Sequence, residues 1–310
     1  MPELPDLTVY LEALAPRVLG QRLLHIRLRS PFLLRTVQPP IAEADGRTVH
    51  SLRRLGKRLV FGLDDGLFLV LHLMVSGRLK WRKAGQKLTG KIDLAAFDFE
   101  SGTLLLTEAA SKKRASLRLV RGEDALADQD PGGVEPLEVD LNAFRAAMTR
   151  ENRTLKRALT DPRMIAGVGN SYSDEILHAA RMSPFRRTSA LSEQDWTTLF
   201  HTTRASLIDW TERLRRETGD RFPEKVTAFR PDMAVHGKFG QACPVCSTPI
   251  QRVLYAENEC DYCPTCQTEG RLLADRALSQ LMKEDWPRTL EELEEKKAQG
   301  RSQSPASLPP

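Results

Sequence analysis

Two cysteine pairs constrain the fold more than any other feature of this sequence. Cys243-Pro-Val-Cys246 and Cys263-Pro-Thr-Cys266 are separated by sixteen residues, and this paired spacing is typical of a closed tetrahedral Zn²⁺ site with four thiolates. Because four protein ligands leave no place for a catalytic water, we expect one structural zinc ion per chain. Disulfides are the alternative, but the paired spacing suits a metal better. Cys260 lies three residues before Cys263 and offers a competing register, which the matching Cys-Pro-x-Cys form of the outer pairs disfavours.

Length and composition are those of a globular protein of more than one domain. With 310 residues and 41% hydrophobic content, the chain can fill two domain cores and a small appendage. No apolar run approaches the roughly 18 residues of a membrane span, and the first twenty residues carry Glu3, Asp6 and Glu12 in place of a signal peptide's basic flank and apolar core. We therefore expect a cytoplasmic protein. Its net charge of +5 favours a polyanionic partner only weakly.

The first 120 residues read mainly as strands. Short apolar runs with turn residues between them predict antiparallel strands over 24–28, 59–63, 67–73, 92–99 and 103–107. Before them, apolar residues recur at helical spacing from Leu7 to Val18, with Asp6 placed to cap the start and Gly20 to end the helix. A helix is thus predicted directly after the Met-Pro-Glu-Leu-Pro segment.

Helical patterns dominate the second half of the chain. Three- and four-residue apolar spacing predicts helices over 141–149, 152–160, 171–181, 192–201 and 203–216. The polar, breaker-rich segment 122–133 is the best candidate for a linker. The predicted organisation is therefore a domain over 1–121, a linker over 122–133, a helical domain over 134–238, a finger over 239–272 and a disordered Ser/Pro/Gln-rich tail over 287–310.

The start of the chain offers a candidate nucleophile. Removal of Met1 would leave Pro2 with a secondary amine, and a terminal amine titrates near about 7.7–8.0, so part of it is neutral at cellular pH. Such an amine could attack the C1′ carbon of a deoxyribose and form an iminium ion. Glu3 could protonate the sugar ring oxygen or carry protons if partial burial raises its pKa. The alternative is that Met-Pro-Glu is a common start without chemistry.

A glycine turn between two predicted helices is the second candidate site. After a turn around Asp161-Pro162, the sequence Gly167-Val168-Gly169-Asn170 precedes the helix predicted over 171–181, which gives a helix–two-turn–helix layout. Gly167 and Gly169 would let the backbone approach a phosphate, and Asn170 adds a side-chain amide at the helix start. Taken alone, such a turn is also compatible with a plain helix cap.

Five elements, taken together, resemble one known family. They are Met-Pro-Glu-Leu-Pro at the start, Leu55-Gly56-Lys57, the segment 72–77 (His-Leu-Met-Val-Ser-Gly), the segment 167–172 (Gly-Val-Gly-Asn-Ser-Tyr) and the final four-cysteine finger. In order and spacing, from residue 2 to about 270, they resemble the formamidopyrimidine-DNA glycosylase and endonuclease VIII family. The resemblance implies an α+β protein with an N-terminal antiparallel β-sandwich and flanking helix, followed by a helical helix–two-turn–helix domain with a zinc finger.

The resemblance also implies roles for particular residues. Pro2 would be the Schiff-base nucleophile, Glu3 the catalytic acid and Lys57 a catalytic-site lysine that holds phosphate beside the flipped nucleotide. Base flipping is implied because C1′ is inaccessible in a stacked duplex. The residues expected on DNA are His72, Met74, Arg114, Lys156, Asn170, Tyr172 and Asn258, and the expected zinc ligands are Cys243, Cys246, Cys263 and Cys266.

The chain departs from the family pattern at base and phosphate contacts. Asn258 stands where the family usually has an arginine that contacts phosphate, and Arg252 or Arg271 would have to compensate. Val75, beside Met74, takes the place of a wedge methionine. The loop with Arg114 lacks the family's aromatic wedge.

These departures spare the residues that act on the sugar. The resemblance therefore implies a bifunctional enzyme of DNA base-excision repair, a glycosylase with strand-cleaving lyase activity, acting as a monomer on damaged double-stranded DNA in the bacterial cytoplasm. Oxidised pyrimidines, ring-opened purines, abasic sites and bulkier adducts all stay open as substrates, and 8-oxoguanine is disfavoured. Two alternatives from other classes are a non-catalytic DNA-binding protein on the same scaffold and a zinc ribbon that binds other proteins.

Overall fold

A computed structural model describes residues 1–255, 258–274 and 286–302 of the chain. The chain divides into two compact units, each of them discontinuous in sequence. Unit 1 contains Met1–Arg150, Leu159–Gly169 and Thr203–Ala228, and unit 2 contains Glu151–Ala158, Asn170–Thr202 and the chain from Phe229 onwards. The segment 122–133, which the sequence suggested as a linker, lies inside unit 1. The consecutive domains expected from the sequence therefore differ from the two compact units of the structure, each of which combines separate segments of the chain.

The first helix, α1, spans Leu4–Val18 and begins earlier than the sequence suggested. Glu3 is its N-cap, and Asp6 lies in the first turn, where its Oδ2 accepts a hydrogen bond from the Glu3 amide at 2.9 Å. Pro5 is tolerated there because the first helical turn needs no amide donor from it. Gly20, with φ of +73°, follows the end of the helix as predicted.

Two antiparallel sheets form the centre of unit 1. The first sheet has the order β1-β3-β4-β5-β9, with β1 Arg22–Leu23, β3 Arg47–Leu55, β4 Arg58–Leu63, β5 Leu67–His72 and β9 Ser116–Arg121. The second has the order β2-β7-β8-β6, with β2 His25–Leu28, β6 Gly77–Arg82, β7 Asp93–Phe99 and β8 Gly102–Glu108. The structure thus confirms the predicted antiparallel sheets and adds β1, β3, β6 and β9.

One hydrophobic core is shared by both sheets and α1. Leu59 and Leu71 from the first sheet, Leu104 and Leu106 from the second, and Tyr10 from α1 are all fully buried in it. The two sheets therefore pack as a sandwich, with α1 against the same core. A smaller cluster, with Val60, Val70 and Leu126, covers the other face of the first sheet, so β4 and β5 are buried on both faces and read as continuous apolar runs.

Helices follow the sandwich. They are α2 Glu123–Ala127, α3 Leu141–Met148, α4 Leu155–Thr160, α5 Asn170–Ala179 and α6 Glu193–Thr218. α6 is one helix of 26 residues where the sequence suggested two, because the junction near residue 202 contains neither glycine nor proline to end it. Among the described helices, α6 included, none has a window apolar enough to cross a membrane.

The finger is a small ribbon in unit 2. Strands β10 Gln251–Tyr255 and β11 Asn258–Tyr262 pair antiparallel, and the short helix α7 Pro264–Thr268 follows them. Beyond it, a helix spans Leu290–Ser302, which corrects the expected disorder of 287–310 over that range. Its Leu, Glu, Lys and Ala residues are strong helix formers, and polar composition alone does not reveal this propensity. Residues 303–310 lie outside the described part of the chain.

Candidate active site and nucleic-acid interface

The start of α1 is held against the glycine turn within unit 1. The Leu4 amide donates to the Gly167 carbonyl at 2.9 Å, and the Gly169 amide donates to Glu3 Oε2 at 2.6 Å. Pro2 and Glu3 are both buried. These contacts hold the residue pair expected to carry catalysis against the backbone of the glycine turn.

A side chain at position 169 would displace the ends of two neighbouring side chains, those of Glu3 and Lys57. A Cβ atom there would lie 2.6 Å from Glu3 Cδ and 2.9 Å from Lys57 Nζ. Gly167 is similarly crowded, with a hypothetical Cβ 2.8 Å from Leu4 Cβ, and its φ of +79° favours glycine. The glycines were expected to let the backbone approach a phosphate. In the structure they let the turn approach Leu4, Glu3 and Lys57, and the phosphate contact stays a prediction.

Glu3 and Lys57 therefore converge on one point beside Pro2. Lys57 follows Gly56 in the tight turn between β3 and β4, and its side chain is only 8% exposed. Gly56 has φ of +57°, which permits this turn. The structure thus brings together the three residues that the sequence marked as catalytic.

The environment at the chain start favours a neutral amine. Burial lowers the pKa of the Met1 amino group, and the positive charges of Arg78 and Lys57 act in the same direction. Glu3 and Asp6 oppose this shift, but the net pKa is below the ordinary value of 8.0. A neutral amine is the nucleophilic form, so this surrounding suits amine attack.

His72 ends β5 close to the same positive charges. Burial, followed by the charges of Arg58, Lys57 and Arg118, lowers the pKa of His72 to about 4. Its Nδ1 accepts a hydrogen bond from the Met74 amide at 3.0 Å. The imidazole is therefore neutral at physiological pH with its proton on Nε2, which makes Nε2–H a donor suited to a phosphate oxygen.

The turn after β5 presents an exposed apolar tip. Met74 has φ of +52° and is partly buried, whereas the side chain of Val75 is 57% exposed. Gly77 closes the turn, because a Cβ there would lie 2.2 Å from the Leu73 carbonyl oxygen. Val75 is thus the more exposed of these two apolar side chains.

A second loop, residues 109–115, carries the exposed Arg114. The backbone amide of Arg114 donates to both carboxylate oxygens of Glu108, each at 3.0 Å. Ser76, in the turn after β5, also donates to Glu108 at 3.3 Å. The sequence did not single out Glu108, because its partners are backbone amides and a residue 32 positions earlier.

Lys156 differs from its expected role as a phosphate contact. It is 1% exposed, and its ammonium donates to the Asn170 carbonyl at 2.7 Å, Ser173 Oγ at 2.8 Å and Asp174 Oδ1 at 2.6 Å. All three N–H groups of a lysine are thereby used inside unit 2. Tyr172 is likewise 1% exposed, so its side chain is a core residue rather than a DNA contact. Asn170, at the first position of α5, is partly exposed.

Asp174 also connects Lys156 to a buried histidine. Its Oδ2 lies 2.8 Å from Nδ1 of His236, and both side chains are buried. Burial lowers the pKa of His236, but the hydrogen bond and charge of Asp174 outweigh it, and the pKa is raised overall. Asp174, His236 and Asp261 are close enough to share a metal ion, yet Lys156 already neutralises Asp174. Sequence patterns gave no signal for this group.

The arginines considered as substitutes at position 258 differ from one another. Arg252 is partly buried and binds Asp261 at 2.8 Å and Glu259 at 3.1 Å, so its charge is already satisfied. Arg271 is exposed, 3.7 Å from Glu269. The side chain of Asn258 lies outside the described residues. Of the two candidates, Arg271 is the better placed to meet a phosphate.

The four predicted metal ligands form one cluster. The sulfur atoms of Cys243, Cys246, Cys263 and Cys266 lie within 4.8 Å of one another, and three of the sulfur pairs are 3.3, 3.5 and 3.9 Å apart. Thiolates about 2.3 Å from a tetrahedral zinc ion would be about 3.8 Å apart, so the cluster can hold such an ion. Cys260 lies outside the cluster, buried in β11, which agrees with the register that the sequence favours.

Further donors surround this cluster. His178 Nε2 lies 3.3 Å from Cys243 Sγ, and burial lowers the pKa of His178, so its ring is neutral. The Val245 amide also points at Cys243 Sγ, at 3.5 Å. Donors of this kind stabilise thiolates and orient metal ligands.

Comparison with known proteins agrees with this architecture. The family model described as formamidopyrimidine-DNA glycosylase N-terminal domain matches residues 1–113, and that of the formamidopyrimidine-DNA glycosylase H2TH domain matches residues 133–213. The formamidopyrimidine-DNA glycosylase of Thermus thermophilus is 32% identical over 279 residues, which cover 87% of this chain and 100% of the relative.

Solved structures give the same result. The Fpg protein of Lactococcus lactis in complex with abasic-site DNA has a TM-score of 0.76 and 25% identity, covering 86% of this chain and 99% of that one. A complex of the same protein with DNA containing an oxidised pyrimidine has a TM-score of 0.74 at 25% identity, covering 86% of this chain and 100% of that one.

Fold, site and comparisons together define a class of protein, the DNA glycosylases of base-excision repair. Within that class, the chain belongs to the formamidopyrimidine-DNA glycosylase family. DNA is accordingly its partner.

Proposed function

We propose that this glycosylase removes a damaged base from duplex DNA and then cleaves the strand, using the amine of Pro2 after Met1 has been removed. The observation that carries the proposal is the convergence of Glu3 and Lys57 on Gly169, next to the buried Pro2. A nucleophile, an acid and a cation for phosphate are thus within one small, rigid region of unit 1.

The reaction begins with attack of the Pro2 nitrogen on C1′. The N–C1′ bond forms as the glycosidic bond breaks, and the proton that the amine loses on bonding to C1′ passes to the departing base. Glu3 then protonates the ring oxygen O4′ while the nitrogen lone pair opens the sugar to an iminium ion. The iminium ion acidifies C2′–H, so loss of that proton expels the 3′ phosphate. A second elimination expels the 5′ phosphate, and water hydrolyses the iminium to free the amine.

Three further residues support this chemistry by binding the DNA backbone. Lys57 supplies a positive charge for a phosphate next to the flipped nucleotide, and the neutral His72 supplies an N–H donor. Asn170 offers its amide at the amino end of α5. Lys156 and Tyr172 have no part in this step because they are buried.

The segment that follows α6 bears on the choice of lesion. Phe222 packs near Tyr10, with ring centroids 5.8 Å apart, Glu224 pairs with Arg82, and Val226 is buried in the sandwich core. These three side chains pack within unit 1, to which the segment itself belongs, and this packing argues against a long loop that closes over a base. We therefore favour abasic sites, oxidised pyrimidines and ring-opened purines over 8-oxoguanine.

The four-cysteine cluster is proposed to hold one structural zinc ion. Four thiolates complete the tetrahedral shell of zinc, so the metal binds no reacting water and acts only by holding the finger together. The chain itself is proposed to act as a monomer in the bacterial cytoplasm.

Trapping with borohydride tests the proposal. The reagent reduces the iminium ion to a stable amine, so the protein should be linked covalently to duplex DNA with an abasic site or an oxidised pyrimidine. Pro2→Gly should reduce the adduct at least about tenfold because a primary amine replaces the ring nitrogen. Pro5→Gly makes the same exchange three residues later and should leave the yield nearly unchanged.

Two results would overturn this assignment. One is an adduct that peptide mapping places at a residue other than Pro2, and the other is intact mass showing Met1 retained in active protein. Salt-dependent DNA binding without any adduct would favour the alternative of a non-catalytic DNA-binding protein.

A further inference from the structure

Glu108 lies where two loops leave the same end of the second sheet. It is the last residue of β8, and in the register of the sheet it pairs with Gly77, the first residue of β6. The turn containing Val75 precedes Gly77, and the loop 109–115 follows Glu108. One buried side chain, 1% exposed, thus adjoins both loops.

The carboxylate of Glu108 accepts hydrogen bonds from both of these loops. From the second loop, the Arg114 amide donates to both oxygens at 3.0 Å, and the Ala115 amide donates to Oε2 at 3.1 Å. From the turn, Ser76 Oγ donates to Oε1 at 3.3 Å. Lys113 also donates its ammonium to the Glu108 carbonyl. The two loops are therefore connected through a single residue.

The second loop is anchored in the core at Ala115 and is mostly exposed before it. Residues 109–114 read Ala-Ala-Ser-Lys-Lys-Arg, and nearly all are exposed, so they bury little apolar surface that could fix the backbone. An ionised carboxylate is suited to this task because it offers two acceptor oxygens and no donor. A glutamine would keep one acceptor and turn an NH₂ group toward a backbone N–H.

We propose that Glu108 is a positioning residue that holds Val75 and Arg114 together as a wedge, so that both enter the space of a nucleotide rotated out of a duplex. This inference rests on the proposed function. A flipped nucleotide leaves a gap only in stacked, paired DNA, and closing that gap lowers the cost of flipping. Glu108 therefore matters for duplex substrates and not for the reaction of the amine with an accessible sugar.

A comparison of duplex and single-stranded substrates tests this role. The same abasic-site oligonucleotide is trapped with borohydride, once annealed and once alone. Glu108→Gln should lower the trapping rate on the duplex about tenfold or more while changing the single-strand rate less than about twofold. Glu100→Gln removes an exposed acid from the turn between β7 and β8 and should change neither rate.

Two more variants keep the test decisive if Glu108→Gln folds poorly. Glu108→Asp retains the carboxylate and should recover part of the duplex rate. Arg114→Ala should show the same duplex-selective loss, and combining it with Glu108→Gln should add little, since both remove one wedge.

Other outcomes contradict the inference. Equal loss on both substrates would show that Glu108 serves only general folding, and an unchanged duplex rate would show that the loops need no such anchor. If the unsubstituted protein forms an adduct with neither substrate, the proposed lyase activity itself fails, which is a different result from either of these.

Discussion

The ammonium of Lys156 is enclosed by three oxygen acceptors, and its ion pair with Asp174 is fully buried. Removing one partner of such a pair leaves an uncompensated buried charge, which costs far more than losing an exposed ion pair. The residue therefore contributes to the stability of unit 2, by holding Asp174 between itself and His236. This assignment can be separated from a phosphate contact by measuring stability and DNA affinity in parallel.

Lys156→Met should destabilise the protein by about 3–5 kcal/mol, because Asp174 loses its buried cation. Chemical denaturation followed by circular dichroism measures the change. Lys91→Met, which removes an exposed lysine, serves as the matched control and should stay within about 0.5 kcal/mol. If Lys156→Met had normal stability but bound DNA more weakly and with a smaller salt dependence, Lys156 would be a phosphate contact and not a structural residue.

Candidate site residues could be recognised in the sequence where they lie at the chain start or in closely spaced motifs. The proposal for Pro2 and Glu3 follows from the chain start, and the clustering of the four cysteines follows from two short repeats. Lys156 and Tyr172 were assigned by motif, and a motif does not show whether a side chain faces solvent or the core. Glu108 was missed since its role depends on backbone amides that only the folded loops bring to it.

Among the elements, strands with continuous apolar runs could be predicted from the sequence, and the charged strand β3 could not. β4 and β5 are buried along nearly their whole length, which produces the continuous apolar runs found in the sequence. β3 reads Arg-Thr-Val-His-Ser-Leu-Arg-Arg-Leu, and only Val49 is fully buried in it. Its pairing with β4 is therefore set by the backbone ladder and the neighbouring strands rather than by its own pattern.

The finger allows a test of which cysteines bind metal. Cys263 belongs to the sulfur cluster, whereas Cys260 is buried three residues earlier, where burial raises the pKa of its thiol well above the usual range. We expect one zinc ion per chain in the purified protein and in Cys260→Ala, and a clear loss of zinc in Cys263→Ala. Elemental analysis by mass spectrometry gives the stoichiometry. Zinc loss in Cys260→Ala with retention in Cys263→Ala would reverse the register.

At the scale of the whole molecule, a net charge of +5 arises from 46 basic and 41 acidic residues. Many of the arginines are paired with acids in the structure, among them Arg27, Arg82, Arg186 and Arg215. The overall charge therefore says little about where DNA binds. The affinity for DNA must depend on a small number of cations that contact phosphates. The salt dependence of binding measures this number.

Binding of abasic-site duplex DNA should weaken steeply with salt, because each phosphate that a cation neutralises releases counterions. With a few such contacts, the plot of log affinity against log salt concentration should have a slope of about −3 to −5.

Lys57→Met should make this slope shallower by about one and weaken binding to damaged and undamaged duplexes alike. Lys91→Met should leave the slope unchanged, since Lys91 is not among the residues proposed to contact a phosphate. Fluorescence anisotropy between low and physiological salt gives both values. A slope that stays the same in Lys57→Met, alongside intact trapping of the iminium ion, would mean that Lys57 acts on Glu3 and the sugar alone.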